Sequence, residues 1–274
     1  MIQRDQPRVV HVGRGNNVFQ RLDVLKRNRT RRRQYGELFV EGVRPIQRLV
    51  DTGWPVRSVC SEDGRELSGW ARSIVAACGA ERHYLLAPEL MEQLSDREQP
   101  SELLLVAELR PRRLGDLTLP DDLLVVVLDR PASPGNVGTV IRSADALGAH
   151  GVVVAGHAAD PYDPRAIRAS MGSLFSLPPV EVGGPAELER WLAGRPGVYV
   201  VGTDSAGESP LRDVDLRRPT VVVVGNEAGG ASYGLRALCG TVARIPMGGS
   251  ADSLNMAVAA SIVLYEAARQ RGYA

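Results

Sequence analysis

Residues 124–156, LVVVLDRPASPGNVGTVIRSADALGAHGVVVAG, decide how the rest of the chain is read. An aliphatic run ends at Asp129, a Pro/Gly/Asn loop leads into a helical pattern beginning near Asn136, and a second aliphatic run closes the stretch. This pattern predicts two buried strands joined by a helix, the unit from which parallel sheets are built. A loop aimed at a helix start suits anions, because the free N–H groups of the first turn point outward. Arg142 follows Asn136 by about one and a half turns, at roughly 100° per residue. The helix therefore supplies part of a site, and other segments must close it.

Downstream the alternation continues. Residues 198–201 and 220–224 read as strands, 186–192 as a short amphipathic helix, and 242–245 as a strand that enters PMGGSADSLN before a last helix over 253–269. Asp163-Pro164 signals a further helix start, and 173–182 is an apolar, Pro-interrupted approach to the sheet. Strands alternating with helices predict a parallel α/β sheet whose ligand lies at the carboxyl ends of the strands. Three strand-end loops stand out there: SPGNVG, GNEAGG and IPMGGSADSLN. Each has Gly or Pro where backbone must turn tightly or approach a ligand, and each adds Asn, Glu or Ser. One such loop is an ordinary turn, whereas three in this order are specific. No GxGxxG follows the first of these strands, which argues against a nicotinamide-binding dehydrogenase.

Upstream, a smaller α/β pattern fills the first hundred or so residues. Residues 38–40, 56–60, 82–86 and 101–107 read as strands, and 44–51, 67–77 and 88–94 as helices. Residues 18–35 read as one basic helix with Phe19, Leu22 and Leu25 on a narrow apolar face, and residues 1–20 as a frayed end. Periodicity then lapses in ELRPRRLGDLTLPDD, which places a boundary near residue 112 and gives domains 1–112 and 113–274.

Composition sets outer limits. Hydrophobic residues make up 44% of the 274 and charged residues 24%, proportions of a globular chain rather than a disordered one. No run is apolar enough to span a bilayer and MIQRDQPRVV lacks the apolar core of a signal peptide, so the expected compartment is the cytoplasm. Cys60, Cys78 and Cys239 form neither a disulfide framework nor a zinc pattern, and His11, His83, His150 and His157 have no ligand spacing. No metal is expected. The net charge of +1 hides an asymmetry, since Lys26 is the only lysine and residues 21–33 read RLDVLKRNRTRRR. Guanidinium groups suit bidentate phosphate contact, so Arg27, Arg29, Arg31, Arg32 and Arg33 are candidate RNA contacts, with a solvated face as the alternative. Arg165 and Arg168, at i, i+3 spacing, are weaker candidates of the same kind.

The segments NVGTVIRSADALG, VGNEAGG and IPMGGSADSLNMAVAASIVLYEA resemble the three motifs of the SpoU (TrmH) family of RNA ribose 2′-O-methyltransferases, in the SPOUT superfamily. RRRQYGELFVEGVRPIQRLVDTG resembles the L30e-like substrate-binding domain that precedes the catalytic domain in many members. Within the family, RPASPGNVGTVIRSADALGAHG and GHAADPYDP look most like the 23S rRNA methyltransferases of the avilamycin-resistance type. The resemblance implies an α/β fold: a small L30e-like domain, then a SPOUT domain whose parallel sheet carries a deep trefoil knot. It also implies a homodimer and S-adenosylmethionine as methyl donor.

By matching position, the resemblance assigns Asn136, Arg142, Glu227, Ser253 and Asn255 to catalysis. It assigns Gly225, Ile245 and Leu254 to the cofactor, with Thr203, Asn226, Gly229 and Met247 as neighbours. The implied reaction is methyl transfer to a ribose 2′-hydroxyl, with Arg142 activating the hydroxyl. A guanidinium stays protonated in almost any protein setting, so holding a phosphate and stabilising a nascent alkoxide is the physically easier task. Asn136 and Ser253 are expected to orient Arg142 and the ribose, and Glu227 to fix the loop or a basic partner. A tRNA ribose 2′-O-methyltransferase and a non-catalytic knotted RNA-binding dimer are the alternatives.

Overall fold

The computed structural model describes residues 7–95, 99–118, 120–227 and 229–273. In chain order the first elements are β1 (Arg8–Val12), α1 (Asn17–Arg27), α2 (Arg29–Tyr35), β2 (Glu37–Glu41), α3 (Val43–Asp51) and β3 (Val56–Glu62). Next come α4 (Gly69–Ala77), β4 (Arg82–Leu86), α5 (Pro88–Leu94), β5 (Leu104–Glu108), β6 (Leu124–Asp129), α6 (Pro134–Ala146) and β7 (Gly151–Ala155). The chain continues through α7 (Pro164–Ala169), α8 (Ser173–Ser176), β8 (Val180–Val182), α9 (Pro185–Ala193), β9 (Tyr199–Thr203) and β10 (Ser209–Pro210). It ends with β11 (Thr220–Val224), α10 (Tyr233–Ala237), β12 (Thr241–Arg244) and α11 (Met256–Gln270).

The chain folds as two compact units, each with its own core. The first comprises Met1–Arg110 and Tyr162–Ser176, the second Pro111–Pro161 and Leu177–Ala274. A single cut near residue 112 thus misses the segment Tyr162–Ser176, which belongs with the first unit. Its contacts there explain why. The rings of Trp54 and Phe175 meet edge to face at 5.2 Å, and Asp163 lies 3.8 Å from the buried Arg32. At Gly172, with φ at +95°, a Cβ would stand 2.7 Å from Cβ of Arg48, so α8 approaches α3 only through a glycine.

The first unit is built on a five-stranded sheet in the order β1-β4-β3-β5-β2, parallel except at β5, which runs antiparallel to both its neighbours. Two sequence expectations change here. Residues 8–12 pair in register with β4 instead of fraying, because RVVHV finds a parallel partner in RHYLL. The basic helix over 18–35 is two helices, broken at Asn28, whose extended backbone ends α1 while its side chain accepts the N–H of Arg31 to open α2.

The second unit is a seven-stranded sheet in the order β10-β12-β9-β11-β6-β7-β8, parallel throughout. Every residue of β6, β7 and β11 is buried, as the uninterrupted aliphatic runs require of strands covered on both faces. Val125, Val127, Val153, Val221 and Val223 meet Leu188, Trp191 and Leu235 in one core. Helix α6 begins two residues before the expected Asn136, because Pro134 has the fixed φ and missing N–H suited to a first turn. Parallel strands bring Asp129, Thr203, Val224 and Arg244 to one edge of the sheet, where the three loops emerge.

Candidate functional site

At that edge the loops after β9, β11 and β12 enclose a cavity of about 260 Å³. Thr203, Gly225, Asn226, Gly229, Ile245, Met247 and Leu254, the residues expected to surround a cofactor, all line it. So do Asp204 and Met256, for which sequence reading assigned no role. Asp204 ends β9 and is held by Arg236 (Nη1 to Oδ2, 2.8 Å) and by the N–H of Ala206 (2.9 Å). Its position just beyond a parallel strand was the available signal.

The wall made by Gly225, Asn226, Glu227, Gly229 and Gly230 turns tightly. The N–H of Asn226 donates to the Gly230 carbonyl (3.1 Å) and the N–H of Gly230 to that of Asn226 (2.8 Å). A Cβ on Gly225 would fall 2.2 Å from the backbone N of Ala231 and C of Gly230, so glycine alone fits. The opposite wall is apolar, from Ile245, Met247, Leu254 and Met256. A flat heteroaromatic ring suits the apolar side, and the exposed turn supplies backbone hydrogen-bonding groups for polar ends. The residues present thus fit a nucleoside-bearing cofactor.

Glu227 lines the cavity as well and enters a network that joins all three loops. Its Oε1 accepts from Nδ2 of Asn136 at 2.6 Å, across 91 residues of chain. It also accepts the N–H of Met256 (3.4 Å) and Nδ2 of Asn255 (3.5 Å), while Nδ2 of Asn255 reaches Oδ1 of Asn136 at 3.3 Å. Asn255 caps α11 as well, its Oδ1 accepting from the N–H groups of Ala257 (2.8 Å) and Val258 (3.4 Å). Helix α6 is tied to α11 by the hydroxyls of Ser143 and Ser261, 2.8 Å apart. Asn136 therefore meets Glu227 and Asn255 rather than Arg142.

Arg142 is exposed on α6, its guanidinium uncommitted among the described residues. Ser253 lines the cavity at the surface. Arg142 is not among the residues that line the cavity. Two of the three thiols are poor nucleophiles: burial pushes Cys60 up to about 12 and Cys239 up to about 11. No cluster of His, Cys, Asp or Glu able to hold a metal occurs among the described residues.

In the first unit, the basic run is more committed than its sequence suggests. Arg32 is corrected outright: it is 2% exposed and donates to the carbonyls of Leu25 (2.9 Å) and Lys26 (3.2 Å), closing the last turn of α1. Buried guanidinium of this kind cannot reach a phosphate. Arg27 pairs with Asp23 at 2.6 Å, and Arg31 bonds Gln34 at 2.6 Å. Arg27, Arg31 and Arg33 are exposed, and Arg29 is half-buried. Arg165 is drawn onto Asp163.

Comparison with known proteins gives this geometry a family. Residues 123–265 match the SpoU rRNA Methylase family, and residues 16–106 match the SpoU L30e-like domain. The chain is 47% identical over 262 residues to a 23S rRNA (uridine(2479)-2′-O)-methyltransferase of Streptomyces viridochromogenes, covering 93% of this chain and 91% of that protein. The crystal structure of the SpoU methyltransferase AviRb from that organism, in complex with AdoMet, superposes with a TM-score of 0.89 at 46% identity, over 94% of this chain and 98% of that one. An AdoMet-bound rRNA methyltransferase from Sinorhizobium meliloti follows with a TM-score of 0.85 at 31% identity, over 95% and 98% of the two chains. By its motifs, its sheet and its relatives, the chain belongs to the SpoU rRNA methylase family.

Proposed function

We propose that this protein methylates a ribose 2′-hydroxyl in 23S rRNA with S-adenosylmethionine as donor. The observation that carries the reading is the junction of three distant loops at one sheet edge, where the cavity and the Asn136–Glu227 hydrogen bond lie together. Ile245, Met247 and Leu254 would hold the adenine, with backbone groups of Gly225, Asn226, Gly229 and Thr203 at its polar edges. When bound, the donor supplies a methyl group on sulfonium together with its own leaving group.

The chain's residues do the rest. The protonated guanidinium of Arg142 holds an RNA phosphate and stabilises the alkoxide that develops as the 2′-hydroxyl gives its proton to solvent water and takes the methyl group. Ser253 borders the cavity at the surface and steers the ribose. Glu227, fastened by Asn136, Asn255 and the start of α11, fixes the cofactor loop against the loop that enters α6. Arg27, Arg29, Arg31 and Arg33 track phosphates of the substrate. The 1–112 and 113–274 division is proposed in its functional sense, substrate capture by the first part and chemistry by the second.

The finer features belong to the same proposal. The C-terminal segment is proposed to thread a trefoil knot, supported by loops 225–230 and 245–255 sharing one cavity wall to wall. A homodimer is supported by the α11 face that leaves Val258 and Tyr265 about half exposed beside Thr139 of α6. The protein is proposed to act in the cytoplasm, and modification of the ribosome is proposed to give antibiotic resistance.

Mapping 2′-O-methyl groups across rRNA with and without the protein tests the reading, and one new site in 23S rRNA is the expected outcome. Arg142→Ala should abolish that site while S-adenosylmethionine still binds; methylation by that variant at the wild-type rate would sink the role given to Arg142. Competition between rRNA and tRNA decides the tRNA alternative. Failure to bind the donor by calorimetry would favour a non-catalytic RNA-binding dimer.

A further inference from the structure

We propose that Arg130 is a positioning residue of the site: with Asp129 it suspends Asn226, Gly230 and Ser232, and with them Glu227 and one cavity wall, from the end of β6. The inference rests on the methyltransferase reading above and adds to it a residue that acts through its neighbours.

The observation that starts the argument is conformational. Arg130 has φ at +48°, and only Met171 shares a positive φ among the described residues other than glycine. L-residues avoid this region, and such a backbone persists only where its surroundings over-determine it. Three contacts do so here. The N–H of Arg130 donates to the Ala155 carbonyl (2.9 Å), which extends the β6–β7 ladder by one residue. Its carbonyl accepts from Nδ2 of Asn226 (2.7 Å). Its guanidinium folds back over Asp129 (3.1 and 3.3 Å) and donates from Nη2 to the carbonyl of Gly230 (3.2 Å).

Asp129 completes the clamp. It is 2% exposed, and its Oδ2 accepts both the N–H of Ser232 and Nη2 of Arg130. Two adjacent residues thus hold the cofactor loop at positions 226, 230 and 232. An extended backbone at 130 would send its carbonyl away from Asn226; the left-handed turn aims backbone and side chain at the same loop.

Elsewhere the clamped loop is held by Ala231, which packs against the core, and by the bonds of Glu227 to Asn136, Asn255 and the N–H of Met256, while Glu227 and Gly229 remain exposed. What its placement governs is the cavity wall and the 2.6 Å bond from Asn136 to Glu227. Arg130 also begins the short loop through Pro131 to Ser133 that leads into α6, which carries Asn136, so one residue stands behind both partners of that bond.

Three variants test this: Arg130→Gly, which accepts the same φ and keeps the carbonyl but deletes the guanidinium; Arg130→Lys; and Asn226→Ala. Readouts are the S-adenosylmethionine Kd by calorimetry, kcat and KM on 23S rRNA, and Tm. Arg130→Gly and Asn226→Ala should each weaken donor binding and lower kcat by about tenfold to a hundredfold, as a small misplacement of a reacting site does. The RNA KM and Tm should stay near wild type, and Arg130→Lys should recover part of the loss. Wild-type Kd and kcat in Arg130→Gly would overturn the proposal. So would losses that follow Tm in all three variants, since Arg130 would then serve the fold alone. A wild-type protein that bound no donor would overturn both readings, and it needs no variant to be recognised.

Discussion

Gly225 has no room for a side chain, and the reason is backbone rather than φ. An added Cβ meets main-chain atoms of Gly230 and Ala231 at 2.2 Å, which cannot rotate away as a side chain would. Gly225→Ala should therefore open the turn and raise the S-adenosylmethionine Kd by at least about tenfold, with overpacking costing roughly 1–3 kcal/mol. Calorimetry and thermal melts check both parts; unaltered binding would mean the wall is not a cofactor wall. Glu227→Ala should lower turnover on rRNA about tenfold to a hundredfold by releasing Asn136 and Asn255, a loss of orientation rather than of charge. Stopped RNA-methylation assays at saturating donor measure it. Asn136 and Glu227, which the fold brings to 2.6 Å, could be singled out beforehand because their segments resemble family motifs. Asp204 offered only its place just beyond a parallel strand, and Arg130 not even that much direction, because nothing in a sequence tells which arginine a loop will turn inward.

At the scale of elements, the basic helices show where residue type misleads. Arg31, Arg32 and Arg33 are identical letters, yet the helical turn sends only Arg32 into the core, where the open carbonyls of α1 take up its donors. Arg32→Ala leaves those carbonyls unsatisfied and should cost about 1–3 kcal/mol. Arg31→Ala should leave urea denaturation unchanged and instead weaken RNA binding, flattening its salt dependence by about one charge. The opposite pattern would return Arg32 to the RNA-facing set. The Asn28 break is similarly local: an Asn inside a basic run reads as one more polar helix residue until its side chain is seen capping α2. Strands β4 and β11 and helix α5 were legible to the residue, since aliphatic runs and Pro88 bound them on both sides. Strand β1 was not, because five residues with little burial acquire their identity only from the neighbour they pair with.

For the molecule as a whole, linear sequence hides which segments share a core. Tyr162–Ser176 lies within the span that matches the SpoU methylase domain, yet its Phe175 packs on Trp54 of the first unit. A hydrophobic pattern says that a face is buried and leaves open what covers it. The same burial gives the folded chain a pH dependence. His83 is 7% exposed and shares a 2.8 Å hydrogen bond with the Ser61 hydroxyl, and burial lowers its pKa from the ordinary value of about 6.5. On acidification the unfolded chain takes up this proton before the folded chain does. The stability involved is therefore complete above about pH 6.5, declines as pH falls toward the folded pKa, and levels off below it. Wild-type Tm should drop by a few degrees between pH 7 and pH 5. His83→Gln keeps a polar partner for Ser61 but has no proton to gain, so its Tm should change less over the same interval. Parallel curves for the two proteins would place the acid sensitivity on other groups, and a wild-type Tm that rose on acidification would reverse the sign argued for His83.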